Sequence, residues 1–176
     1  NIQYYQGEYG LGDQYTGLIS GTIQDYFVDP VRGYQCRLSG DGITAFSDIY
    51  KGQYFIGDLL TPYNRPYIRN SGTNAKIIGV YDFKEEQYHC ILQSGILGSS
   101  SINNYNFSFN ENRNSYVTFY DYFPEWIICA EDIPYSWVSG QLYIHNSTVT
   151  NNFYGVQYPS YITCVFNKNL PEKKTW

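Results

Sequence analysis

Polar and aromatic positions alternate along much of this chain. Residues 104–109 read Asn-Tyr-Asn-Phe-Ser-Phe, so every second side chain is aromatic. Because successive side chains of a β-strand point to opposite faces, the segment predicts a strand with its aromatic face in a core and its asparagines toward water. Leu142 and Ile144 repeat the alternation. Turn-like clusters such as 110–114 separate these runs, and about twelve short strands can be assigned in this way.

Residues 83–91 are the best competitor for a helix. The run Lys-Glu-Glu-Gln at 84–87 has a high intrinsic helix propensity. A hairpin is nevertheless the favoured interpretation, because the surrounding segment resembles others in the chain.

Four segments share one order of features: an aromatic run, a turn-like break, and a short strand that carries one cysteine. They are residues 21–40, 79–95, 117–132 and 151–166. In the first three, an acidic residue precedes Tyr or Phe, at Asp25, Asp82 and Asp121. The pattern predicts four related hairpins. A tyrosine-rich β chain also produces such segments from composition alone, so internal repetition stays open.

The predicted fold is all-β and antiparallel, in a single domain. Many short strands hide their edges by stacking sheets or by closing a barrel, so a β-sandwich is the first expectation and a closed β-barrel the alternative. We expect an aromatic N-terminal arm or edge strand at 1–20, one β domain at 21–170 and a C-terminal tail at 171–176. The length of 176 residues suits one domain.

The cysteines predict two disulfides. They are isolated, without a Cys-x-x-Cys pair, at Cys36, Cys90, Cys129 and Cys164. An even number of isolated cysteines is typical of an oxidising compartment, and buried free thiols in a cytosolic protein are the alternative. Three connectivities are open, of which pairing of neighbouring hairpins would join Cys36 to Cys90 and Cys129 to Cys164. The chain contains no Met, which indicates removal of a leader. We therefore expect secretion.

Two sequons fit N-glycosylation, at Asn106 and Asn146. Chance alone gives about two sequons in a chain of this composition, so both are candidate sites and neither is evidence of export.

Tyrosine is the outstanding feature of the composition, with 21 residues. One core cannot hold so many phenols without leaving buried hydroxyls unpaired, so many rings should lie at a surface. Amphipathic aromatic side chains are enriched at interfaces between proteins. The candidate interface residues are Tyr4, Tyr5, Tyr9, Tyr120 and Tyr122.

Charge and motifs exclude several classes. A net charge of −5 offers no basic surface for nucleic acid, and no run of apolar residues is long enough to span a membrane. No catalytic, phosphate-binding or metal-binding motif is present. His89 and His145 are the two histidines, and each is expected to be solvent-facing or a hydrogen-bonded structural residue. No cofactor or metal is expected.

These observations predict a secreted, non-enzymatic β-domain that associates through tyrosine-rich surfaces. Its partners would be proteins, most simply like subunits, or glycans. One alternative is a lipocalin-like carrier of small apolar ligands, although the expected N-terminal Gly-x-Trp is missing. A secreted hydrolase is the second alternative, which requires a cleft with two convergent carboxylates or a His near a Ser.

Overall fold

A computed structural model describes residues 9–11, 17–50, 52, 76–93 and 104–162. Almost all regular structure in these ranges is β, which confirms the all-β expectation. The elements are β1 (Ile19–Ser20), β2 (Asp25–Asp29), β3 (Tyr34–Ser39), β4 (Gly42–Thr44), α1 (Phe46–Ile49), β5 (Lys76–Asp82), β6 (Gln87–Gln93), β7 (Tyr105–Asn110), β8 (Ser115–Phe119), β9 (Trp126–Ala130), β10 (Ile133–Val138), β11 (Gln141–Ile144), β12 (Asn152–Phe153) and β13 (Val156–Gln157).

The strands form antiparallel sheets with simple neighbour connections. The first sheet has the order β1-β2-β3-β4, the second β5-β6-β7-β8 and the third β11-β10-β9, and β12 pairs with β13 in a short ribbon. Within the described residues, the outer strands of the two four-stranded sheets pair on one side only. The sheets are therefore open, and the closed-barrel alternative is wrong.

One face of the second sheet packs against the first sheet. Tyr26 and Val28 of β2 and Phe46 of α1 enter a core cluster with side chains of β5, β6 and β7. The rings of Tyr26 and Tyr88 stack at 4.8 Å between centroids. Aromatic stacking of this kind adds about 0.5–1.5 kcal/mol beyond the burial of apolar area.

The opposite face of the second sheet packs against the third sheet. Ile78, Val80 and Ile91 form a second cluster with Tyr122 and Ile127. The described residues thus stack three layers, with the second sheet in the middle, instead of the two layers of a simple sandwich.

The middle position of the second sheet overturns one expectation about β7. Asn106, which was expected to face water, is fully buried, and so is Ser108 on the same face of the strand. The reason is that the chain after β8 crosses this face: the side-chain amide of Asn106 donates to the backbone oxygen of Tyr122 at 3.0 Å. A polar side chain can be buried at moderate cost when a backbone group satisfies it.

Two of the four predicted hairpins are present as expected. β2 pairs with β3, and β5 pairs with β6 across a turn at 83–86, so the helical alternative for 83–91 is not adopted. The third prediction is wrong, because β8 pairs with β7 and β9 pairs with β10. In the fourth segment, β12 and β13 form a short hairpin, and its cysteine lies outside the described residues.

Among the residues that the structure describes, no predicted disulfide is formed. Cys36, Cys90 and Cys129 are free thiols, while Cys164 lies outside the described residues. Cys36 packs in a cluster with Phe27 and Ala45, whereas Cys90 belongs to the cluster between the first and second sheets. Both behave as small core residues, and burial raises the pKa of each thiol to about 12. An even count of cysteines therefore misled the prediction.

The predicted N-terminal segment falls only partly within the described residues. β1 is an edge strand of the first sheet, and Tyr9 packs edge-on against Tyr34 at 5.4 Å between ring centroids. Residues 1–8 and the predicted tail at 171–176 lie outside the description. In the described ranges, no helix has the length and hydropathy to cross a membrane.

Candidate functional site

A cavity of about 550 Å³ lies where the second sheet meets residues 143–155. The sheet contributes Val80, Asp82 and His89 to its lining, and residues 143–155, here called the wall segment, contribute most of the remainder. Ligand pockets of 300–1,000 Å³ are typical for small molecules. The cavity is thus large enough for a ligand of one or two rings.

Aromatic rings crowd one side of this cavity. The ring of Tyr122 lies 4.5 Å from that of Phe153 and 4.8 Å from the imidazole of His145, measured between centroids. Tyr143 and Tyr154 meet edge to face at 4.8 Å. Burial raises the pKa of the Tyr122 phenol, which keeps it neutral. The contacts of Tyr122 thus hold the wall segment to the chain that follows β8.

Asp82 joins the sheet to the wall segment by hydrogen bonds. Its Oδ1 accepts from the backbone N–H groups of Lys84 and Glu85 at 3.0 and 3.1 Å, and its Oδ2 accepts from the side-chain amide of Asn146 at 3.0 Å. Asp at the end of a strand commonly caps a turn in this way. Here the second carboxylate oxygen also anchors the cavity wall.

His89 lies on the same face of the sheet and is only 6% exposed. Its Nδ1 atom is buried without a hydrogen-bond partner. The imidazole packs against the ring of Tyr120 at 5.1 Å. Burial lowers the pKa of His89 to about 4; the nearby His145 adds to the shift and the carboxylate of Asp82 opposes it. His89 is therefore neutral at pH 7.

His145 forms a short pair with a serine. Its Nε2 lies 2.6 Å from the hydroxyl oxygen of Ser136, which also lies 3.0 Å from the hydroxyl of Tyr154. Burial lowers the pKa of His145, and Asp82 opposes the change. The hydrolase alternative requires a His near a Ser, and this pair meets that geometric condition. However, Ser136 is 0% exposed, and its hydroxyl does not line the cavity.

The third sheet presents a second candidate surface. Its register aligns two rows of apolar side chains across the three strands: Trp126, Trp137 and Leu142, and Ile128, Tyr135 and Ile144. These six residues are here called the outer face. Leu142 is 55% and Ile144 is 63% exposed. Contiguous exposed apolar patches of this kind commonly mark interaction sites.

The two sequons differ in their surroundings. The amide nitrogen of Asn106 is buried and already donates to Tyr122, so a glycan on Asn106 is incompatible with this fold. Asn146 is exposed, although its amide nitrogen donates to Asp82. Glycosylation at Asn146 stays a prediction.

The candidate interface tyrosines lie in unlike places. Tyr9 and Tyr120 are half-buried, and Tyr122 is buried within the chain, while Tyr4 and Tyr5 lie outside the described residues. The chain itself thus shelters most of the Tyr122 ring. Their role in association stays a prediction.

Sequence reasoning missed both the cavity and the outer face as sites. The outer face had a readable signal, since Trp126 and Ile128 alternate along one strand and Tyr135 and Trp137 along the next. The cavity had none, because its residues come together only when the wall segment folds over the second sheet.

The cavity also differs from the one expected of a carrier for apolar ligands. Asp82, Glu85 and both histidines are among its lining residues, so its surface mixes ionisable groups with rings. Among the described residues, no group of three or more His, Cys, Asp or Glu is placed to hold a metal ion.

Residues 148–176 are similar to the crassvirus muzzle protein C-terminal domain. This likeness covers 29 of the 176 residues. Its described part includes the cavity-lining residues from Val149 to Gly155. No curated protein and no solved structure matches the chain.

Proposed function

We propose that this chain is a structural subunit of a protein assembly, of the kind represented by a virus muzzle protein. The observation that carries the proposal is the likeness of residues 148–176 to the crassvirus muzzle protein C-terminal domain. The tyrosine-rich composition and the outer face of the third sheet support it.

The outer face supplies the surface for association. Its six residues carry no charge, and they lie on adjacent strands so that their side chains form one patch. The centre of a stable interface is typically apolar, rich in Trp and Tyr and poor in charged residues. The outer face has this composition, and the partner that we propose for it is a second copy of the chain.

Sedimentation velocity over a range of protein concentrations tests this proposal. We expect the wild-type chain to self-associate reversibly, and Leu142→Lys to weaken the association at least tenfold by placing a charge within the outer face. Leu18→Lys is the matched control, because Leu18 is 45% exposed and lies outside the third sheet. This control should associate as the wild type does.

Two results would contradict the proposal. A wild-type chain that remains monomeric at every concentration would remove self-assembly as its function. Equal association of the Leu142→Lys and Leu18→Lys variants would show that the outer face is not the contact. Secretion and the absence of catalysis stay predictions that this experiment does not address.

A further inference from the structure

We propose that the cavity between the second sheet and the wall segment binds a neutral, hydroxyl-rich ligand, namely a saccharide of one or two rings. This inference is independent of self-assembly, because the cavity and the outer face are made by different side chains. Ile144 is the one residue of the outer face that also lines the cavity.

The aromatic side of the cavity suits the apolar faces of sugar rings. Tyr120, Tyr122, Phe153 and Tyr154 all line it. A sugar ring carries C–H groups on its faces and hydroxyl groups around its edge. Aromatic side chains bury apolar area with little conformational freedom to lose, so they can cover those faces while polar groups reach the edge.

The imidazole of His89 brings a polar ring to the sheet side of the cavity. The His89 side chain is more than nine-tenths buried, and its Nδ1 atom has no hydrogen-bond partner. Because this nitrogen is closed to solvent, a ligand hydroxyl reaches it only when the imidazole turns toward the cavity. A hydroxyl group can then pair with the nitrogen in either tautomer, because a hydroxyl both donates and accepts.

The charges of the lining favour a neutral ligand over an anion. Asp82 and Glu85 bring two carboxylates, and no Lys or Arg appears among the described lining residues. A phosphate or carboxylate would be repelled here. The side-chain amides of Asn146, Asn151 and Asn152 add donors and acceptors. A set that contains carboxylates, amides and a neutral imidazole matches the edge of a sugar.

Backbone conformation at Tyr154 supports a role for its ring. Tyr154 and Gly155 form the two-residue turn between β12 and β13, with φ of 55° and 81°. Asn or Gly usually occupies the first position of such a turn, because bulky residues are strained at positive φ. A tyrosine at this position costs stability in the turn, and its ring lines the cavity. Strained residues of this kind cluster at binding sites.

The turn also provides a variant that tests the ring of Tyr154. Tyr154→Asn removes the ring and its contacts with Tyr143 and the Ser136 hydroxyl, and it places a favoured residue at positive φ, so relief of the turn strain offsets part of the stability that is lost. Thermal unfolding checks that the variant is folded under the conditions of the binding measurement. Val156→Thr is the matched control, since Val156 lies on the same hairpin, is exposed and does not line the cavity.

Titration calorimetry and saturation-transfer NMR with maltose, lactose and N,N′-diacetylchitobiose test the inference, with choline and inorganic phosphate as the cationic and anionic probes. We expect at least one disaccharide to bind the wild-type chain and Val156→Thr equally, and to bind Tyr154→Asn at least tenfold more weakly. The bound sugar should also shift the ¹⁵N resonances of His89 in the wild-type chain, a readout that requires no variant.

Several outcomes would overturn the inference. They are the absence of binding by all three sugars, binding of choline or phosphate in their place, and equal sugar affinity in Tyr154→Asn. A sugar that binds without moving the His89 resonances would place the site elsewhere. Because sedimentation and sugar binding are measured separately, failure of self-assembly leaves this test intact.

Discussion

The environment of His89 differs from the one that its residue type predicts. A histidine in a strand was expected to be exposed or hydrogen-bonded, and His145 meets the second expectation through Ser136. His89 meets neither at Nδ1, because the segment after β8 covers its face of the sheet. That cover is a tertiary feature, and no local pattern in the sequence encodes it.

The buried imidazole makes stability depend on pH. The pKa of His89 is about 4 in the folded chain against 6.5 ordinarily, so the unfolded chain binds a proton more readily between these values. The folded chain therefore keeps its full free energy of unfolding above pH 6.5. That free energy falls by on the order of 3 kcal/mol as the pH is lowered toward 4.

Urea unfolding at intervals from pH 4.5 to 8 measures this effect. Because carboxylates titrate in the same range, the comparison is with His89→Gln, which is neutral throughout. We expect the wild-type chain to lose about 2–3 kcal/mol more stability than His89→Gln on going from pH 7.5 to 4.5. Parallel pH profiles for the two proteins would contradict the assignment.

At the scale of elements, the sequence located strands better than it located their partners. Alternation identified β7, and the shared pattern of aromatic run, turn and cysteine-bearing strand identified β2, β3, β5 and β6. The proposed equivalence of Asp25 and Asp82 was wrong, because Asp29 is the true counterpart of Asp82: each accepts hydrogen bonds from the backbone two and three residues further on. Asn110 makes the bond to the third residue in the β7–β8 turn.

In each of these three turns, the fourth residue after the Asp or Asn has a left-handed backbone conformation. These residues are Gly33, Glu86 and Asn114. Glu86 has φ of 54°, where a side chain other than Asn is strained. Glu86→Gly should relieve this strain and stabilise the chain by about 0.5–1 kcal/mol, after the entropic cost of glycine.

Glu85→Gly is the matched control for the turn, since it removes the same charge from a neighbouring position that is not at positive φ. Glycine at that position should be neutral or destabilising. Chemical denaturation of both variants decides the matter, and a Glu86→Gly chain no more stable than Glu85→Gly would show that the turn is not strained.

At the scale of the whole molecule, the three-layer stack was not expected, although part of its signal is visible. β5 and β6 contain the runs Ile-Ile-Gly-Val-Tyr and Tyr-His-Cys-Ile-Leu, which do not alternate and so fit strands buried on both faces. In β7, polar and aromatic side chains alternate, so the sequence gives no sign that both faces are buried. Its polar face can be buried because Asn106 and Asn110 donate hydrogen bonds to backbone oxygens of other segments. Pattern alone cannot distinguish a polar face in water from one bonded to a neighbouring layer.

The stack predicts a gradient of local stability from its centre outward. β6 is paired with β5 on one side and β7 on the other, and the five residues between its ends are all buried. Its amides can therefore exchange with solvent only when the core opens, with a free energy near that of global unfolding. β11 lies at the edge of the third sheet, and most of its residues are exposed. Hydrogen-exchange mass spectrometry at low protein concentration should find the amides of β11 peptides exchanging at least tenfold faster than those of β6 peptides. Comparable exchange rates for the two strands would mean that the layers open as one unit.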